Sequence, residues 1–206
     1  MTGMSLLGNF FYSPLAYNGR TSSIVLSGVD IPRHSGVYKT LHGRPEYQPT
    51  SRLDYELELR VFVSKPVPWG TLVTADEASA EHVFGFVLMN DWSARDIQIY
   101  ESIPVVPLNG KAFATSISPW VVMLEALEPA AMKPLKQEKD AAPSHLRHSV
   151  LDGKLYDIDC HAYIGRKFSE TWRKSESANA LEGKERRSKK CLPPALSIPT
   201  LPSVRC

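Results

Sequence analysis

The chain is 206 residues long, 43% hydrophobic and 22% charged, with 24 Lys and Arg against 22 Asp and Glu for a formal net charge of +2. Such a length fits one folded domain, or one and a half, with a sizeable core, and the charge balance gives no electrostatic footprint for nucleic acid or an anionic membrane surface. The longest apolar run, Val83 to Met89, is far short of the ~20 residues that span a bilayer; no secretory leader is visible in Met1 to Asn9; and three scattered cysteines (Cys160, Cys191, Cys206) fit a reducing, cytoplasmic setting better than a disulfide framework or a zinc finger.

In chain order, Phe10 to Ser27 carries turn signals at Ser13-Pro14 and Asn18-Gly19 and predicts a loop, a turn and a strand at Ser23 to Leu26. Asp30 to Ser51, rich in Pro, Gly and His, reads as irregular surface. Leu53 to Ser64 alternates, with Leu53, Tyr55, Leu57, Leu59, Val61 and Val63 on one face and Asp54, Glu56, Glu58, Arg60 and Phe62 on the other, which predicts a single strand. Thr74 to Glu77 has the capping-box pattern and opens a short helix through about His82. Val83 to Met89 predicts a strand buried on both faces, Arg95 to Tyr100 a turn or two of helix, Ser118 to Leu127 a further strand, and Ala130 to His148 a loop. Asp152-Gly153 is a hairpin signal, and Leu155 to Ile164 alternates again. The sum is mainly β with short helices. From Gly165 to Cys206 there are ten Lys or Arg and four Asp or Glu, a balance of 10 − 4 = +6, and Cys191 to Cys206 holds four of the 16 prolines. Composition therefore divides the chain into a folded 1–164 and a basic, Pro-rich 165–206 expected to be a disordered tail.

The residues with the most chemistry are Glu56 and Glu58. Two apart on a strand, they point the same way, about 6.5–7 Å apart along the chain, and two such carboxylates either converge on a cation or repel. On spacing alone an exposed polar face is the favoured reading. Asp91 shifts the balance, because it ends a buried strand, and so does Lys111, because Gly110 before it allows close backbone approach to a ligand. Three carboxylates from two strands make a hard oxygen site suited to Mg²⁺, Mn²⁺ or Ca²⁺ and not Zn²⁺. Arg95 and Lys111 offer positive charge for an anionic substrate or a developing oxyanion.

Five segments carry a resemblance to a known family. Tyr17-Asn18-Gly19-Arg20-Thr21-Ser22-Ser23, Leu53-Asp54-Tyr55-Glu56-Leu57-Glu58, Met89 to Gln98, Gly110-Lys111-Ala112-Phe113-Ala114-Thr115 and Ser118-Pro119-Trp120-Val121-Val122 resemble signature segments of the fumarylacetoacetase (fumarylacetoacetate hydrolase) family, in order, from about Phe10 to Ile164. The resemblance implies a partial β-roll of that family's catalytic-domain type. It implies a divalent metal, Mg²⁺ or Ca²⁺, on Glu56, Glu58 and Asp91, and Lys111 and Thr115 beside a second magnesium, with Lys111 also facing the reacting centre. Arg95, Gln98 and Tyr17 are implied as substrate contacts, while Ser102 stands where the family has a second tyrosine. The implied reaction is hydrolysis of a carbon–carbon bond in a small-molecule β-diketone, releasing fumarate and acetoacetate in tyrosine and phenylalanine catabolism. The implied protein is a homodimer that binds neither nucleic acid nor membrane.

The family's general-base histidine and a further metal aspartate lie upstream of the Tyr17 segment, and neither stands among the residues that precede it here. The six histidines, His34 and His161 among them, read as surface or packing residues. The resulting expectation is that these 206 residues alone have negligible hydrolase activity. Two other readings stay open: a non-catalytic remnant that binds metal or a full-length partner, and another superfamily activity such as decarboxylation or isomerisation.

Overall fold

The computed structural model describes residues 20–40, 43–103, 108–132, 155–164 and 173–179. In chain order the elements are β1 (Ile24–Leu26), β2 (Ser35–Lys39), β3 (Pro45–Pro49), β4 (Leu53–Asp54), β5 (Leu57–Val63), α1 (Ala75–Glu77), β6 (Val83–Asp91), β7 (Ser93–Ala94), α2 (Arg95–Glu101), α3 (Asn109–Ala112), β8 (Thr115–Ile117), β9 (Val122–Met123), α4 (Leu124–Leu127), β10 (Ala131–Met132), β11 (Leu155–Tyr156), β12 (Asp159–Ile164) and β13 (Arg173–Asn179). The fold is mostly β with short helices and open, mixed sheets. The main sheet runs β1-β8-β6-β5, with β1 parallel and β6 antiparallel to β8. Short antiparallel pairs accompany it: β2 with β3, β4 with β7, β10 with β11, and β12 with β13.

The described residues divide into two compact units, one drawn from within 20–60, 86–121 and 158–179, the other from within 61–85, 122–132 and 155–157. In the second, Thr74 and Glu77 form the expected capping box at the start of α1. The turn then widens, so that Val83 N–H reaches back to the Ala78 carbonyl. Ser64 N–H donates to the His82 carbonyl, and Lys65 pairs with Glu81.

Several elements depart from the sequence expectation. The single strand predicted over Leu53 to Ser64 is two strands. The Asp54 carboxylate accepts the Tyr55 N–H at 3.0 Å, and Asn90 Oδ1 accepts the Glu56 N–H at 3.2 Å. Side chains thus satisfy the backbone at the break, and β4 and β5 take different partners. The surface read over Asp30 to Ser51 contains the β2–β3 hairpin, whose second strand begins and ends on proline, a residue tolerated at strand ends and edges. The strand predicted at Ser118 to Leu127 shortens to β9, which pairs with β6, and then gives way to α4, while a second sheet strand, β8, lies upstream; Pro119 lacks the N–H that a continuous ladder needs. β6 is buried on one face, at Gly85, Val87 and Met89, while Phe84 on the other is exposed. β13 lies within the stretch assigned to the tail by composition. The hairpin signal at Asp152-Gly153 lies outside the described residues.

The apolar centre that supports the site comprises two groups in the first unit. Tyr38, Ala94 and Ile97 form one, and Leu53, Trp92 and Ala114 the other; Phe113 packs against both. A Cβ on Gly36 would meet Ile97 Cδ1 at 2.8 Å, so a larger residue there would have to displace the buried Ile97 side chain. Trp92 is a buried packing residue, and its indole N–H donates to Ser116 Oγ at 2.9 Å. Trp69 and Trp120 are exposed.

Candidate active site

β6 brings its carboxyl end beside the β4–β5 break, where the Asp91 N–H donates to the Glu56 carbonyl at 3.0 Å. The strand period at Glu56 and Glu58 and this cross-strand bond together gather three carboxylates. One oxygen each from Glu56, Glu58 and Asp91 lies within 4.8 Å of the others. The cluster is the one among the described residues with three or more acidic, His or Cys groups close enough to share a cation. Thr115 pairs with Asp91 in the β6–β8 register.

α3 delivers a cation to the same place. Lys111, 5% exposed, contacts Glu56 Oε2 at 2.5 Å and Asp91 Oδ2 at 2.7 Å, and donates to Ser93 Oγ at 2.8 Å. Three acceptors use all three ammonium donors. Two features set α3 in place: Glu101 accepts the Gly110 N–H at 2.9 Å, and Gly110 lies so near α2 that a Cβ would meet Gln98 N at 2.5 Å. Arg95 opens α2 and reaches the other side of Glu56, with Nη1 2.6 Å from Oε1. Its Nε donates to Asp54 Oδ2 at 2.8 Å, and Nη1 also donates to Gln98 Oε1 at 3.0 Å. The charges alternate along one line: Asp54, Arg95, Glu56, Lys111, Asp91.

The ionisation of these groups follows from that order. Burial by itself raises Glu56, but the Lys111 and Arg95 contacts outweigh it and hold the carboxyl below its ordinary value. Burial raises Glu58, with Asp91 and Glu56 adding to it and Arg60 opposing at 3.3 Å. Burial would lower Arg95, yet its hydrogen bonds to Asp54 and Glu56 leave it raised and fully cationic.

The structure therefore brings together Glu56, Glu58, Asp91, Lys111, Arg95 and Gln98, and sets Thr115 opposite Asp91. Tyr17 lies outside the described residues. Ser102, in the place of the family's tyrosine, turns its hydroxyl onto the Ile99 carbonyl at 2.8 Å. Sequence reading gave no role to Asp54, Asn90, Ser93 or Glu101. Asp54 shares the parity of Glu56, and Asn90 and Ser93 flank Asp91, so the signals were present; which partner each would meet depends on pairings remote in sequence.

A family model described as "Fumarylacetoacetate (FAA) hydrolase C-terminal" matches residues 9–183. The chain belongs to the fumarylacetoacetate hydrolase family. Every member of the charge line lies inside the match. The match also runs past Ile164, where the sequence reading ended the resemblance, and takes in β13. Curated relatives in this hydrolase family include the fumarylacetoacetase of Rattus norvegicus, 44% identical over 164 residues, covering 79% of this chain and 38% of the relative. Fumarylacetoacetase fahA of Aspergillus fumigatus is 48% identical over 141 residues (65% and 32%), and the Oryza sativa subsp. japonica fumarylacetoacetase is 40% identical over 160 (77% and 36%). The chain thus spans about a third of the length of the curated relatives it matches. A solved chain described as "Crystal structures of Cg1458" overlaps more loosely, with TM-score 0.41 and 18% identity over 77% of this chain and 52% of that one.

Proposed function

We propose that this chain holds the metal- and substrate-binding core of a hydrolase that cleaves a carbon–carbon bond in a small β-diketone, with fumarylacetoacetate as substrate and a place in tyrosine and phenylalanine breakdown. The observation that carries the reading is the convergence of Glu56, Glu58 and Asp91 with Lys111 and Arg95 against them. The donor set fits the metal that the family implies: three carboxylate oxygens, no nitrogen or sulfur, gathered at a spacing one hard cation can bridge. Glu56, Glu58 and Asp91 would hold Mg²⁺ or Ca²⁺. Such a cation, when bound, supplies Lewis acidity toward the two ketone oxygens.

The remaining roles belong to the chain's own groups. Arg95 and Gln98 bind and orient the anionic substrate, with Tyr17 on the same pocket. Lys111 is an ammonium held rigidly before reaction begins. With its three donors already committed, its fixed positive charge favours negative charge growing on the attacked carbonyl oxygen through the field of the site. Thr115 supports the Asp91 end of the site from β8. As in the intact family, the working unit is proposed to be a homodimer in the cytoplasm. Among the described residues no helix is long and apolar enough to cross a membrane.

Calorimetric titration of the purified chain with Mg²⁺ or Ca²⁺ tests the metal half. One site is expected, and Glu58→Gln or Asp91→Asn weakens it by about tenfold or more, since each removes a unit charge at ligand distance. Affinity unchanged from the wild type in both variants would place the cation elsewhere. The chemical half is read as loss of the diketone absorbance of fumarylacetoacetate, where Lys111→Ala lowers kcat more than it raises KM.

A further inference from the structure

We propose that Asp54 is a positioning residue: it fixes the orientation in which the Arg95 guanidinium meets an oxygen of an anionic ligand. The identity of that ligand rests on the hydrolase reading above; the positioning does not. Three observations carry it. First, Asp54 is itself locked. Its Oδ1 accepts the Tyr55 N–H at 3.0 Å while Oδ2 accepts Arg95 Nε at 2.8 Å, so neither oxygen is spare in the plane that faces the arginine. Second, the two residues are brought together by backbone. β4 pairs with β7 in the register Leu53↔Ala94 and Asp54↔Ser93, and the Arg95 N–H donates to the Arg52 carbonyl at 2.9 Å. Arg95 is thereby anchored at its main chain and at the head of its side chain. Third, the other contacts divide the guanidinium unequally. Nε serves Asp54, while Nη1 serves Glu56 and Gln98, so the Asp54 bond holds a different nitrogen from the other two contacts.

A guanidinium is a flat fork with five donors, and which edge it offers decides what it recognises. The Nη1 contacts to Glu56 and Gln98 hold one end of the fork, and the Nε contact to Asp54 holds the other. On the far side of Glu56, Oε2 contacts Lys111. Arg95 and Asp54 are about equally exposed, 27% and 28%, so the pair is open enough for a ligand to approach and covered enough to hold one geometry.

The test uses Asp54→Ala and Asp54→Asn, the second keeping an acceptor for Nε–H without the charge. Two quantities are read on each folded variant, folding being checked by its melting transition. One is the Arg95 Nε–H resonance and its exchange with water. The other is the affinity for fumarate, as a simple dicarboxylate probe, at fixed Mg²⁺. The wild type is expected to show a slowly exchanging Nε–H. Asp54→Ala is expected to lose it and to bind fumarate at least tenfold more weakly, while Asp54→Asn keeps the resonance and loses less than threefold. A purely structural role would lower melting temperature in both variants without separating them in this way. Unchanged exchange and affinity in Asp54→Ala overturn the proposal. If Asp54→Ala fails to fold, loss of the slow Nε–H in Asp54→Asn overturns it and retention supports it. Asp54-dependent protection in a wild type that binds no fumarate supports the positioning and counts against the hydrolase reading.

Discussion

At the scale of single residues, His34 shows how burial can dominate an ionisation. Its ring stacks on Phe113, with centroids 4.6 Å apart and planes 7° from parallel, and its buried Nε2 has no partner among the described residues. Burial lowers its pKa, Arg20 adds to the lowering, and Glu101 opposes it. The sign follows from proton counting. Between the depressed folded value and the ordinary value near ~6.5 the unfolded chain binds more protons than the folded one. Stability is therefore fully present above the ordinary value and is lost as pH falls through that window. His34→Phe keeps the stack and removes the titration, so its melting temperature is expected to fall less than that of the wild type between pH 7 and pH 5. Parallel curves for the two proteins would remove His34 from the acid response. The same residue explains a limit of sequence reading: nothing local to a Pro- and His-rich loop says that one imidazole will lie flat on a phenylalanine 79 positions away.

At the scale of elements, the contact between α2 and α3 positions the site lysine. A Cβ at 110 would meet Gln98 N at 2.5 Å and Gln98 Cα at 2.8 Å, both backbone atoms of the facing helix. Gly110→Ala must therefore separate the helices. It is expected to cost about 1–3 kcal/mol, the usual range for forced overpacking, and to weaken Mg²⁺ binding by shifting Lys111. An unchanged denaturation midpoint would mean that the helices part without strain. Element identity was legible where one signal dominated, as in the capping box at Thr74, the alternation of β5 and the apolar run of β6. It was not legible where proline ends a strand, as at Pro45 and Pro49, or where side chains satisfy the backbone, as at Tyr55 and Glu56. The site was legible to a similar degree. Parity paired Glu56 with Glu58, the end of a buried strand pointed to Asp91, and charge drew in Lys111 and Arg95, whose separate roles came through the family resemblance. The Asp54–Arg95 bond depends on two-residue strands β4 and β7, too short to leave a pattern.

At the scale of the whole chain, a net charge of +2 conceals a site of the opposite sign. Asp54, Glu56, Glu58 and Asp91 face Arg60, Arg95 and Lys111, a balance of 3 − 4 = −1. A divalent cation would reverse it to +1, which suits an anionic substrate. Because the cation would bind the folded cluster and not the dispersed chain, Ca²⁺ or Mg²⁺ at 100 times its dissociation constant is expected to add about 2.7 kcal/mol to stability. Calorimetric melts with and without chelator measure this, and coincident melts would exclude a folded-state metal site. The break between β4 and β5 has one more consequence. Asp54 and Glu56 reach Arg95 from a kinked stretch, while Glu58 obeys the alternation of an ordinary strand, so the spacing of the three is fixed by chain count as much as by residue type. Deleting or inserting one residue between 54 and 58 would send an acid to the opposite face of the sheet. Over the generations this short segment should thus accept replacements at Tyr55 and Leu57 far more readily than any change in its length.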